Sequence, residues 1–191
     1  MHNTSCSTHN KGTPRVFASK DSITTPNKLI PNIPYYLTGY INLTILETPP
    51  QPEIMILMIQ KEVADRIVAR DKKESILSIA VKAYGTPRIV KKVPARYFTP
   101  APNVDSAVLA IEHISNTHFT DKQSEKLFFD IVKAGFAHKR KQLAGNLKEL
   151  FGDKTSTLLT QTGISSHARA EDITLKEWLV CAEKAYELFH K

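Results

Sequence analysis

The chain is short of three things, and each shortage excludes a class of protein. It has two cysteines in 191 residues, Cys6 near the start and Cys181 inside a helical pattern, so no disulfide framework can form and a reducing compartment is expected. Its longest apolar run, Ile54 to Ile59, is six residues, too few to span a bilayer or to form the apolar centre of a signal peptide. Its seven glycines include no two separated by a single residue, so there is no Gly-x-Gly turn to bring backbone against a nucleotide-like cofactor. Upstream of Asn32 the only glycine is Gly12 and the only carboxylate is Asp21. The expectation is a soluble cytoplasmic protein that makes no membrane contact.

Residues 1–28 are rich in Ser, Thr, Asn and His, carry four basic residues against one acid, and show no apolar periodicity. They are expected to be a disordered or non-homologous tail. A transit peptide would be Arg-rich, and only Arg15 is available, so a truncated or frame-shifted gene start is the preferred account. His2, Cys6 and His9 supply three metal-ligand types without a fourth or a scaffold to orient them, and no metal site is expected.

What is abundant is positive charge, +7 overall with a pI near 9.4. Between Lys61 and Arg96 ten basic residues, Arg88, Lys91 and Lys92 among them, face four acids, so the middle of the chain carries most of the excess. A second cluster, His138-Lys139-Arg140-Lys141, is read as interrupting the apolar stripe of its helix. Such clusters suit a polyanion.

Periodicity supplies the architecture. Ile54 to Ile59 reads as a strand buried on both faces, and Val63, Ala64, Ile67 and Val68 form a helix face after it. Residues 75–84 read as a second helix. Residues 87–93 and 104–111 are strand-like and flank a loop holding Pro94, Pro100 and Pro102, as expected for an irregular antiparallel pair at a sheet edge. After His118 only helical patterns remain. Thr120-x-x-Gln123 is the expected cap of one, with Leu127, Phe128, Ile131, Val132 and Phe136 inward. Another holds Leu143, Leu147 and Leu150 and stops at Gly152, and Thr174-x-x-Glu177 caps the last, with Leu175, Trp178, Leu179, Ala182, Tyr186 and Phe189 on one face. Arg169 is read either as an internal ion-pair partner that fixes the loop before it or as an RNA contact.

Two separated motifs carry the chemistry. Asn32-Ile33-Pro34-Tyr35 offers an amide oxygen, a neighbouring carbonyl and a ring; the stretch from Phe98 to Ser106 offers a second ring on a proline-stiffened loop. Together they suit an extruded purine, because the exocyclic amine of adenine is a poor nucleophile until hydrogen bonds localise its lone pair. With Gln60-Lys61-Glu62-Val63, Arg66-Ile67-Val68-Ala69 and Arg169-Ala170-Glu171-Asp172-Ile173, in this order and spacing over about residues 29–191, the set resembles the rRNA adenine dimethyltransferase family.

The resemblance implies an α/β fold, a truncated Rossmann-like methyltransferase sheet beginning near its fourth strand, followed by a small all-helical C-terminal domain. Residues 29–115 would be the C-terminal half of the catalytic domain, and residues 116–191 an RNA-binding domain. The implied activity is methyl transfer from S-adenosylmethionine to the N6 amine of an adenine in small-subunit rRNA, during ribosome biogenesis. Asn32 and Ile33 would accept the two amine hydrogens, Pro34 would shape the turn, Tyr35 and Phe98 would stack on the base, and Asn32 would also lie against the methyl donor. Pro31 stands where the family usually has a small residue. Arg88, Lys91, Lys92, Lys139, Arg140 and Lys141 would hold RNA in an rRNA or ribosomal particle. Because the glycine turn is missing, a separate cofactor-binding lobe is an implied partner. Two alternatives stay open: a non-catalytic RNA- or ribosome-binding remnant, and an adenine methyltransferase of another kind, acting on large-subunit rRNA (the macrolide-resistance type) or on DNA.

Overall fold

The computed structural model describes residues 28–30, 46 and 51–189. Four strands, β1 (Lys28–Leu29), β2 (Ile54–Gln60), β3 (Thr86–Val93) and β4 (Ser106–Glu112), form one mixed sheet in the order β1-β2-β4-β3. β1 is parallel to β2, and the other two pairings are antiparallel, as expected for the segments on either side of the proline loop. Val104 stays outside the sheet, exposed on the loop.

The continuous apolar run of β2 does not make it the most deeply buried strand. Met55, Leu57 and Ile59 are fully buried, whereas Ile54, Ile56 and Met58 are only half covered. The strand buried on both faces is β4, where Ser106, Ala107, Leu109, Ala110 and Ile111 are all enclosed. Its small alanines let neighbours close over it; composition alone cannot report which strand is covered on both faces.

Two short helices follow the strands. α1 (Lys61–Ile67) buries Ala64 and Ile67. α2 (Ile76–Lys82) is narrower than the expected 75–84 because Ser75 is its cap: the Ser78 amide donates to Ser75 Oγ at 3.1 Å and the Ser75 amide donates to Ser78 Oγ at 2.7 Å.

The helical part contains α3 (Lys122–Gly135), α4 (Leu143–Phe151), α5 (Lys154–Thr162) and α6 (Leu175–Phe189). The cap of α3 is Asp121, one residue beyond the expected Thr120. A carboxylate accepts two amides at once, from Gln123 at 2.9 Å and Ser124 at 2.7 Å, and these donors hold the Asp121 carboxyl below its ordinary pKa of 3.8. α4 ends at Gly152, whose φ of +56° suits a residue without a side chain. Leu150, expected inward, is exposed there. α6 is capped as expected, the Thr174 amide donating to Glu177 Oε2 at 2.8 Å. Its sealed face is Trp178, Cys181, Ala182 and Ala185, while Leu175, Leu179 and Tyr186 are half covered. Burial pushes the Cys181 thiol up to about 12, which leaves it unreactive.

α5 was not foreseen. Its sequence, Lys-Thr-Ser-Thr-Leu-Leu-Thr-Gln-Thr, is poor in helix formers, but the hydroxyls of Thr160 and Thr162 donate back to the carbonyls of Ser156 at 2.9 Å and Leu158 at 3.1 Å. Thr155, Leu158 and Leu159 are buried between α4 and α6. Tertiary burial overrides the weak propensity.

Sheet and helices are joined twice. Tyr84, Phe119, Phe128 and Phe129 pack with ring centroids 5.1–6.0 Å apart, and the Tyr84 hydroxyl donates to the buried Glu125 of α3. On the other side the Glu74 amide donates to the Glu171 carbonyl at 2.8 Å, and Lys73 pairs with Glu171 at 3.5 Å and with Asp172. Lys73 makes the close ion pair; Arg169 donates its amide to Asp172 Oδ2 at 3.4 Å, and its charge also helps to lower the Asp172 pKa.

At Gly135 a methyl group would meet the Trp178 ring and approach Leu143 Cδ1 to 3.0 Å, whereas at Gly145 it would meet nothing within 4 Å. Gly135→Ala is expected to lower the unfolding free energy by about 1–3 kcal/mol, and Gly145→Ala to raise it by about 0.5–1 kcal/mol, both measured by urea denaturation. The junction has a pH signature. Lys73 holds the Asp172 carboxyl below its ordinary value of 3.8, so the charged form is favoured in the folded state. That contribution is complete above 3.8 and is lost as the pH falls through the lower folded value. Asp172→Asn should therefore lower the urea midpoint at pH 7, and its gap from the parent should close as the pH falls below 3.8.

Candidate base pocket and nucleic-acid interface

β1 and β2 run parallel, so both point their carboxyl ends toward one margin of the sheet, the side on which α/β proteins bind ligands. At that margin β2 ends at Gln60, opposite Ser106, and the loop carrying Phe98 arrives. Asn32, Ile33, Pro34 and Tyr35 lie outside the described residues.

The loop between β3 and β4 is built around Asp105. Its carbonyl accepts from the Lys61 amide at the start of α1 at 2.9 Å, and its carboxylate accepts from the Ala95 amide at 2.9 Å. One residue thus fastens the loop to α1 and to its own other end. Inside this closure residues Ala95–Tyr97 form a 3₁₀ turn, and the amides of Tyr97 and Phe98 each donate backward at 3.1 Å, to Pro94 and Ala95. Phe98 leaves the turn in extended conformation with its ring half-buried, and the Thr99–Pro100 bond is cis.

The six expected RNA-binding cations fall in two places. On edge strand β3 Arg88 is committed: its guanidinium makes a two-pronged contact with Glu112, Nε at 2.9 Å and Nη2 at 2.7 Å. That partner raises the Arg88 pKa and lowers that of Glu112. Lys91 and Lys92 are exposed beyond a bulge in the β3–β4 register and have no carboxylate partner among the described residues.

Lys139, Arg140 and Lys141 do not interrupt a helix. They lie in the connection after α3 has ended at Gly135 and before α4 begins at Leu143. All three are exposed, again with no carboxylate partner among the described residues. The shape of this turn depends on Asn146, which the sequence reading passed over. Its buried amide donates to the carbonyl of Gly135, the last residue of α3, at 2.5 Å and to that of His138 in the turn at 3.2 Å, holding the basic turn against the helix end. Buried Asn in a helix is uncommon enough to have been a signal.

A cleft of about 1080 Å³ runs between α1, α2 and this turn. Among its basic lining residues Arg66 pairs with Glu62 at 3.1 Å, Arg70 with Asp65 at 3.2 Å and Lys73 with Glu171. Lys61 and Arg70 hold the Asp65 carboxyl below its ordinary range. Lys139 and Lys141, also on its wall, are unmatched among the described residues. α1, about 10 Å long at 1.5 Å per residue, connects the cleft with the Phe98 loop fastened at Lys61. Among the described residues no cluster of potential metal ligands exists, and no helix is long and apolar enough to cross a membrane.

Comparison with known proteins bears on this arrangement. The chain is 40% identical over 155 residues to the ribosomal RNA small subunit methyltransferase A of Fusobacterium nucleatum, covering 80% of this chain and 59% of that protein. It is 39% identical over 164 residues to the protein of the same name from Dehalococcoides mccartyi, covering 84% and 56%. It thus spans less than three fifths of the length of these two relatives. Among solved structures it resembles the 23S rRNA methyltransferase ErmE, with a TM-score of 0.64 and 21% identity over 86% of this chain and 68% of that one. It also resembles a dimethyladenosine transferase from Plasmodium falciparum, with a TM-score of 0.67 and 19% identity over 87% and 70%. At these identities the likeness is one of fold, the α/β architecture of Rossmann-like methyltransferases. A family model described as ribosomal RNA adenine dimethylase matches residues 6–186, and the chain belongs to that family.

Proposed function

We propose that this chain carries the adenine-binding and RNA-binding portion of an rRNA adenine N6-dimethyltransferase, acting in the cytoplasm on small-subunit rRNA or a ribosomal particle. The observation that supports it most is the Asp105 closure, which holds the half-buried Phe98 at the margin where β1 and β2 end. Residues 29–115 would form the base-handling half and residues 116–191 the RNA-binding domain.

In this reading Asn32 Oδ1 and the Ile33 carbonyl accept the two hydrogens of the adenine amine, making the nitrogen more tetrahedral and localising its lone pair, while Pro34 shapes the turn. Tyr35 and Phe98 sandwich the extruded base, and stacking of about 1–3 kcal/mol per base offsets part of the cost of unstacking it. Lys91, Lys92, Lys139, Arg140 and Lys141 bind phosphates; Arg88 joins them only by releasing Glu112. S-adenosylmethionine would supply an electrophilic methyl group. The described residues do not fit its site: their glycines are at 85, 135, 145, 152 and 163, and none opens a strand–turn–helix. Asn32 and a separate cofactor-binding lobe are left to hold it.

That lack of fit favours a second reading, RNA binding without catalysis, and the two part on methyl transfer. Joined to the portion of a relative that it does not span, the chain should methylate immature small-subunit particles in single-turnover assays. Asn32→Ala should reduce transfer far more than RNA affinity, and Phe98→Ala should cost about 1–3 kcal/mol of transition-state stabilisation. Transfer at the parental rate by Asn32→Ala would refute the pocket. Replacing Lys139, Arg140 and Lys141 together with Ala should reduce the slope of log affinity against log salt by about 2–3, at 0.7–0.9 per lost phosphate contact. An unchanged slope would make the turn a solvated face.

A further inference from the structure

Tyr97 is the one exposed aromatic ring among the described side chains, 69% accessible, and the base-pocket reading does not use it. Nothing local requires a ring there. The 3₁₀ turn that bears it is closed by backbone hydrogen bonds and by Asp105, so the position would tolerate any small polar residue. The Arg96 guanidinium lies 5.4 Å from the ring centroid and backs one face. Arg96 has no carboxylate partner among the described residues, which leaves its charge available to a phosphate. The ring is preorganised by the turn, so ordering it on binding costs little. It stands next to Phe98 and follows the unmatched Lys91 and Lys92 of β3.

We propose that Tyr97, backed by Arg96, is a stacking platform for a second, unpaired base of the RNA strand, a neighbour of the adenine that Phe98 would receive. The inference rests on the base-pocket reading and adds to it a contact with the flanking nucleotide. Stacking on one open aromatic face tolerates any base, and the adjacent cations track the backbone. The site therefore takes single-stranded RNA in preference to a duplex, whose bases offer no free face.

The test uses the full chain and two probes of equal charge, an oligoadenylate of about 10 nucleotides, within the usual site size, and an abasic oligomer of the same length. Tyr97→Ala should weaken oligoadenylate binding about 5- to 150-fold, the range for loss of one stacked base, with an unchanged salt slope and unchanged affinity for the abasic oligomer. Tyr97→Phe, which keeps the ring, should bind like the parent. The inference is overturned if Tyr97→Ala holds oligoadenylate as the parent does, or if it loses both probes equally, as a mere packing defect would. A parent chain that binds neither probe overturns this inference, while the rRNA reading stands or falls on its own methyl-transfer and salt-slope tests. A parent that binds both while remaining indifferent to Tyr97 overturns the inference alone.

Discussion

Strand β4 is hydrogen-bonded along both edges, and the geometry of the candidate site follows from that. Its first residue, Ser106, stands opposite Gln60 at the end of β2 and opposite Val93 at the end of β3. The preceding residue, Asp105, is therefore delivered to the point where β2 turns into α1 and where β3 enters the loop. Its two acceptors are then within reach of two amides that would otherwise be unpaired, those of Lys61 and Ala95. Burial of both faces of β4 makes this register costly to shift, since a slip of one residue would exchange its faces. The direction of Phe98 and the exposure of Tyr97 are consequences of a sheet register.

The distribution of charge follows a different rule. A basic residue close to a carboxylate pairs with it, as Arg88, Arg66, Arg70 and Lys73 do, and exposed pairs of this kind add little to stability. They do remove cations from the set that faces a polyanion. The cations left without a carboxylate partner among the described residues include Lys91 and Lys92 at the bulged edge, Arg96 in the loop that follows, and the turn at residues 139–141.

The helical part depends on close approach. Gly135 admits the Trp178 ring, its carbonyl is taken by Asn146, and Asn146 in turn shapes the basic turn. Core packing and the exposed cations of residues 139–141 are thereby coupled through one helix end.

The element types were readable from the sequence because they depend on local periodicity and capping. The antiparallel pair around the proline loop, the stop at Gly152 and the Thr174 cap came from residues within a few positions of one another. The family was readable for a related reason: Asn32 to Tyr35 and Phe98 to Ser106 are contiguous motifs that need no folded partner to be recognised. What only the tertiary structure decided is every property that needs a distant partner. It buried both faces of β4 but only one face of β2, stabilised α5 against its propensity, placed Lys73 in ion pairs with Glu171 and Asp172, and committed Arg88 to Glu112. Burial and ion pairing are set by what lies across the fold, up to 99 residues away in the case of Lys73 and Asp172, and no window of local sequence contains that neighbour.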